Sequence, residues 1–145
     1  YCWRAAMNMA MTILSAVLTS NVRYLRVQAE QKVLLYNALT TRVHPEIIVL
    51  NEPIDSLKLL RELDPELSVK FAVVPSNGEW RIKTVETPGQ KFVPLKRLLP
   101  KDVLSVQVPD VVFVHATGFT GGASSMEGAF NMALLSARDL TTSDQ

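Results

Sequence analysis

Apolar residues at Trp3, Met7, Met11, Leu14, Leu18, Leu25, Val33, Leu34 and Ala38 recur at spacings of three, four and seven. That period places them on one helix face and predicts an amphipathic helix from near the start of the chain to about Thr41. Thr19-Ser20 or Asn21 would be the places for it to bend or divide. His44-Pro45 closes the segment, because a residue before proline disfavours helical dihedrals. Ile47 to Leu50 reads as a short buried strand. Pro53 to Leu63 reads as a short helix capped by Asp55, with Leu57, Leu60 and Leu63 on one face and Asp64-Pro65 as its end. Val69–Val74 and Trp80–Val85 are β runs separated by Pro75-Ser76-Asn77-Gly78. Asn-Gly between two apolar runs is a strong hairpin signal, since both residues tolerate positive φ.

The pattern loosens from Thr87 to Pro109, where Pro88, Pro94, Pro100 and Pro109 punctuate a surface excursion with one short helix near Lys101–Leu104. Val111–Val114 is a continuous apolar run, which predicts a strand in the sheet interior. It leads into "HATGFTGGASSMEGAF", His115 to Phe130, where a glycine loop gives way to a helix. Ser124-Ser125-Met126-Glu127 fits a capping box, with Ser124 as the cap and Glu127 reaching back. The helix runs to about Ala137, and Thr141–Gln145 is a polar, frayed end. The elements together predict an α/β (α+β) fold: a mixed β-sheet with a β-hairpin, covered by the long N-terminal helix and a C-terminal helix. The chain divides into the long helix at 1–42, a mixed α/β domain at 43–140 and the tail at 141–145.

The chain has 145 residues, 48% hydrophobic and 20% charged, which is enough apolar material for a core. Its net charge of +1 excludes a strong overall footprint for nucleic acid or an anionic membrane, but not a local phosphate-binding cluster. The single cysteine, Cys2, rules out an internal disulfide and a cysteine zinc site, and points to a reducing, intracellular compartment. His44 and His115 are the only histidines, and no spacing assembles a metal site within the chain. The apolar run Ala5–Leu18, flanked by Arg4, Arg23 and Arg26, reads as too short to span a bilayer, so no membrane partner is expected. Met7, Met9, Met11 and Met132 read as adaptable core filler. The chain begins Tyr-Cys-Trp, without an initiator methionine and within a helical pattern, and so reads as a piece of a longer polypeptide or a processed one.

The candidate chemistry lies in the glycine stretch. Gly118, Gly121 and Gly122 allow close approach of the backbone to a ligand, and amides at a helix N-terminus attract anions. Thr117, Thr120, Ser124 and Ser125 add hydroxyls, and His115 stands at the strand end. The spacing is G-x-x-G-G, neither the dinucleotide fingerprint nor a P-loop. Spacing therefore leaves open both a phosphate or carboxylate cradle and a structural turn. Alternation on the second hairpin strand puts Trp80 with Ile82 on one face and Arg81 with Lys83 on the other, which reads either as an ordinary half-exposed strand or as a basic strip near a phosphate-bearing ligand. No catalytic triad, carboxylate pair or metal set emerges, so the chain reads as a binding or closing domain rather than a complete catalyst. The alternative is a non-catalytic interaction or assembly domain, including a homo-oligomer, built on the apolar helix.

"VVFVHATGFTGGASSMEGAFNMALLSA", Val111 to Ala137, resembles the C-terminal signature of the Myg family (melanocyte proliferating gene proteins), DHH-like metal-dependent hydrolases. Phe113, Val114, His115, Ala116, Gly118, Phe119, Gly121, Gly122, Glu127, Gly128, Ala129, Met132 and Ala133 carry the match. "GEWRIKTV", Gly78 to Val85, and "PEIIVLNEP", Pro45 to Pro53, resemble the segments upstream. The resemblance implies the C-terminal, substrate-binding part of a metal-dependent phosphoesterase, similar to 3′–5′ RNA exonucleases of nucleus and mitochondrion. It implies a divalent metal (Mn²⁺ or Mg²⁺) held by motifs in a missing N-terminal half of the same polypeptide, and neither a catalytic residue nor a cofactor in this chain. RNA or a nucleotide phosphate would be bound by His115, Gly118, Thr120, Gly121, Gly122, Ser125 and Arg81.

Overall fold

The computed structural model describes residues 2–54 and 56–138. The first helix, α1, is Cys2–Thr40, 39 residues without a bend in its assignment at Thr19-Ser20 or Asn21. No glycine or proline occurs before Pro45, so nothing in the backbone interrupts it. Its end is held locally: Thr41 donates both its amide and its hydroxyl to the Asn37 carbonyl, at 3.1 and 2.7 Å. Only the last turns pack on the domain, with Leu35 and Ala38 buried. Most of the helix before them is exposed. Met7, Met9 and Met11 therefore stand in solvent, and only Met132 fills the core as expected. An 18-residue window within α1 is long and apolar enough to cross a membrane by length and composition, and none of that window is buried. The run read as too short is thus part of a longer continuous helix.

Among the described residues, five strands make one mixed sheet in the order β1-β2-β3-β5-β4. β1 is Ile47–Val49, β2 Phe71–Ser76, β3 Glu79–Thr84, β4 Val111–Val114 and β5 Thr120–Ala123. β1 and β2 are parallel, and the other neighbours are antiparallel. The β2–β3 hairpin turns at Asn77 and Gly78, whose φ values of 50° and 81° are those of a two-residue primed turn. Among its described residues, the crossover from β1 to β2 carries one helical turn, α2, Leu60–Leu63. It is shorter than the expected Pro53–Leu63 and begins at Leu59 without a side-chain cap. Asp55, the expected cap, lies outside the described residues, as does the tail at 141–145. α3 is Lys101–Leu104, where expected.

The glycine stretch departs most from expectation. It is not a loop between strand and helix: Thr120–Ala123 forms β5, inserted between β3 and β4. β4 is thereby displaced from the sheet interior to the edge. A register shift between Val111 and Phe113 kinks it.

The two sheet faces are covered unequally. On one, the last helix, α4 (Met126–Arg138), packs Ala129, Met132, Ala133 and Ala137 against Ile47, Phe71, Val73, Ile82 and Ala123. Each large apolar side chain buried there contributes about 1.5–3 kcal/mol. Lys96 holds the far end of α4, donating to the Ala137 carbonyl at 2.6 Å and pairing with Glu46 at 3.6 Å. On the other face, the end of α1 and the α2 region cover Ile48, Leu50, Ala72 and Val74, which belong to β1 and β2 and the residue after β1. The β3–β5–β4 half of that face is where the cavity described next opens.

The helix cap is displaced by one residue. The Gly128 amide donates to Ser125 Oγ at 3.0 Å, and Ser125 Oγ donates to Asp110 Oδ2 at 2.6 Å. Ser125, not Ser124, caps α4, because Asp110 orients its hydroxyl.

Candidate functional site

Register decides which side chains reach the open face. Arg81 is opposite Gly122, and Lys83 opposite Thr120. Phe113 is opposite Gly122 from the other side. Arg81, Gly122 and Phe113 therefore form one cross-strand row. A Cβ on Gly122 would lie 2.7 Å from Phe113 Cε1, so the Phe113 ring occupies the space over the glycine. The ring reaches across to Arg81, whose Cζ stands 5.8 Å from the ring centroid. Such an arrangement braces a guanidinium without neutralising it.

A cavity of about 380 Å³ opens beside this row. Four cations are among its described lining residues: Lys58 and Arg61 from the α2 region, and Arg81 and Lys83 from β3. Glu86 is the only carboxylate among its described lining residues. Arg61 is positioned by donating to the Glu86 carbonyl at 3.3 Å, and Lys83 by donating to the Ile54 carbonyl at 2.5 Å. Phe92 and Phe119 line the same cavity, with ring centroids 5.5 Å apart and planes at 84°. The Phe119 ring is 6.4 Å from that of His115. A cationic pocket with aromatic walls suits an anion attached to a flat, polarisable group.

The residues expected from sequence are divided among several places. Arg81 and Thr120 line the cavity. Gly122 belongs to the row beside it. Gly121 is opposite Ile82, facing the α4 side, where a Cβ would lie 3.0 Å from Leu98 Cδ1. Gly118 turns the chain between β4 and β5 at φ +71°, with Arg97 Cβ and the Leu98 carbonyl 2.9 Å from the place a Cβ would take. His115 is exposed on that turn, where its Nδ1 accepts from the Thr117 amide at 3.3 Å and meets Thr117 Oγ1 at 2.8 Å. Its ring meets that of Phe119 edge-on, and it is not among the described lining residues. Ser125 caps α4 beyond the other end of β5. The sequence does not single out Lys58, Arg61 or Phe92, and it marks Phe119 only as part of the family match. Only their assembly in space marks them as lining residues, although the Arg81/Lys83 alternation pointed to the right face.

Among the described residues no three His, Cys, Asp or Glu side chains come close enough to hold a metal ion. Among the described residues the cavity is lined by more cations than carboxylates, which disfavours a divalent ion. The residues described here therefore do not fit the Mn²⁺ or Mg²⁺ that the family resemblance implies.

A model of the MYG1 exonuclease family, described as an uncharacterised protein family (UPF0160), matches residues 3–137. The chain belongs to this family. Its similarity to individual MYG1 proteins is moderate. It is 35% identical over 81 residues to the "MYG1 exonuclease" of Mus musculus, covering 50% of this chain and 21% of that protein. It is 33% identical over 89 residues to a "MYG1 protein" of Saccharomyces cerevisiae, covering 54% and 26%. The "MYG1 exonuclease" of Homo sapiens is 32% identical over 80 residues, covering 49% and 21%. The match thus spans about a fifth to a quarter of the length of these MYG1 relatives. No solved structure matches the chain at a significant level.

Proposed function

We propose that this chain is the substrate-binding part of a nuclease-like phosphoesterase, and that its cationic cavity holds the phosphate of RNA or a nucleotide. One observation carries the reading: Lys58, Arg61 and Arg81 converge on one cavity in a chain whose net charge is only +1. Guanidinium groups bind phosphate through paired N–H donors, and ammonium groups act as point charges. Arg81 and Arg61 are the principal contacts, Lys58 adds positive potential, and the Thr120 side chain completes the wall. The relatives named "MYG1 exonuclease" support a nuclease substrate. Hydrolysis, with its divalent metal, belongs in this reading to polypeptide outside the chain, and an intracellular location in nucleus or mitochondrion accompanies it.

The test is fluorescence anisotropy with an end-labelled short single-stranded RNA, using this chain and the full-length protein. Replacing Arg61 and Arg81 together by alanine should weaken binding at least tenfold near 0.1 M salt and flatten the salt dependence by about one unit of slope per lost phosphate contact. Unchanged affinity and slope, or no binding by the full-length protein, refutes the assignment.

A second reading, an interaction or assembly domain, is favoured by the exposed Trp3, Met7, Met11, Leu14, Leu18 and Leu25 of α1. Apolar surface of that extent seeks a partner. Sedimentation distinguishes the readings: a monomer at all concentrations that binds RNA excludes self-assembly as the chain's role.

A further inference from the structure

We propose that the cavity takes one nucleotide unit, its base stacked on Phe92 and its phosphate held by Arg81 and Arg61; this rests on the phosphate-binding reading and adds the base to it. Phe92 is 60% exposed, although it lines the same cavity as both arginines. Its φ is 64°, a left-handed conformation that a bulky L residue keeps only where the surrounding chain enforces it. The enforcement is visible. The Thr87 amide donates to the Val93 carbonyl at 2.7 Å, and the Leu95 amide to the Val85 carbonyl at 2.8 Å. The first bond closes the 87–93 turn on itself and the second ties it to the residue after β3, so an aromatic ring is presented to solvent from an anchored turn. Phe119 supports that ring edge-on. Lys91 Nζ lies over the ring, 5.2 Å from its centroid, so a stacking base takes the place of this cation or the opposite face, and the displaced ammonium is free to meet the phosphate.

The size of the cavity favours one nucleotide over a run of them, since about 380 Å³ falls in the range of pockets for a single small ligand. Stacking on an aromatic face accepts any base, so affinity should depend little on base identity.

The experiment uses the full chain and three probes: a short single-stranded RNA carrying 2-aminopurine at its terminal nucleotide, the same RNA with that base removed, and 2-aminopurine riboside monophosphate. Binding should quench 2-aminopurine fluorescence. Phe92→Leu should abolish the quenching and weaken binding about 5- to 150-fold, Phe92→Trp should restore both, and the abasic RNA should be indifferent to either change. Binding of the monophosphate with the same Phe92 dependence supports the site and makes a free nucleotide sufficient. The same dependence with the RNA alone supports it and assigns the base to a strand. If Phe92→Leu leaves quenching and affinity unchanged while the Arg61/Arg81 double variant still weakens binding, the stacking assignment is wrong and the phosphate site stands. If the unaltered protein binds none of the probes, both are wrong.

Discussion

Replacing Gly122 by alanine separates two explanations of a paired glycine: ligand contact or packing. The backbone at Gly122 is not in the left-handed region, so alanine meets no dihedral penalty there. The only severe obstruction is the Phe113 ring, 2.7 Å from the new Cβ at Cε1 and 3.2 Å at Cδ1; Trp80 O at 3.4 Å is in ordinary contact. Overpacking of this kind costs about 1–3 kcal/mol. The lower half of that range applies, because the ring is half-buried and can swing outward. Swinging it outward also removes the Arg81 contact, worth about 0.5–1 kcal/mol at an exposed site. Against this, alanine gains about 0.4–1 kcal/mol by restricting the unfolded chain. Gly122→Ala alone should therefore destabilise by about 1–2 kcal/mol in urea unfolding at pH 7. In a Phe113→Ala background the obstruction is absent, and the same substitution should be neutral or stabilising. A double-mutant cycle reads the difference as a coupling of about 1.5–3 kcal/mol, the obstruction and the Arg81 contact together. An equal cost in both backgrounds would show that the ring is not what the glycine accommodates.

Gly118→Ala meets both a positive φ and backbone obstruction from the Leu98 carbonyl, so it should lower the thermal midpoint more than Gly122→Ala does; a smaller effect contradicts the turn geometry. Ser125→Ala removes the α4 cap and should cost about 1 kcal/mol while leaving RNA affinity unchanged, which anisotropy and urea titration read side by side. Asp64 is buried, which by itself raises its carboxyl pKa. Acceptor bonds from the Val69 amide at 2.9 Å and the Ser68 hydroxyl at 2.8 Å, with Arg42 nearby, outweigh burial and hold it below the ordinary 3.8. Its contribution is thus fully present above 3.8 and is lost as pH falls through the lower folded value, so urea midpoints should decline there. Asp64→Asn should remove that decline and cost about 1–3 kcal/mol at neutral pH.

Elements whose signals are local could be read from the chain directly. Asn77-Gly78 selects its turn by dihedral preference, and the three- and four-residue apolar spacing of α1 needs no tertiary support to be recognised. Thr120–Ala123 could not be recognised as a strand in the same way, because two glycines carry no β preference and no side-chain alternation. It is a strand because β3 and β4 pair with it on both sides and Phe113 covers it. Ser125 rather than Ser124 is the cap because Asp110, fifteen residues earlier, fixes its hydroxyl. The cavity was half legible. Alternation put Arg81 and Lys83 on one face, but Arg61 and Phe92 join them only through the β1–β2 crossover and the anchored 87–95 turn.

The kink in β4 has a consequence for how copies of the chain meet in solution. An outer strand offers unpaired amides and carbonyls to any other strand that can lie flat against it. Here that strand is four residues long and broken in register between Val111 and Phe113, and the opposite border of the sheet, β1, is only three residues long. Neither border offers a straight template of useful length, so the sheet is poorly suited to growth into fibrils even where molecules are crowded.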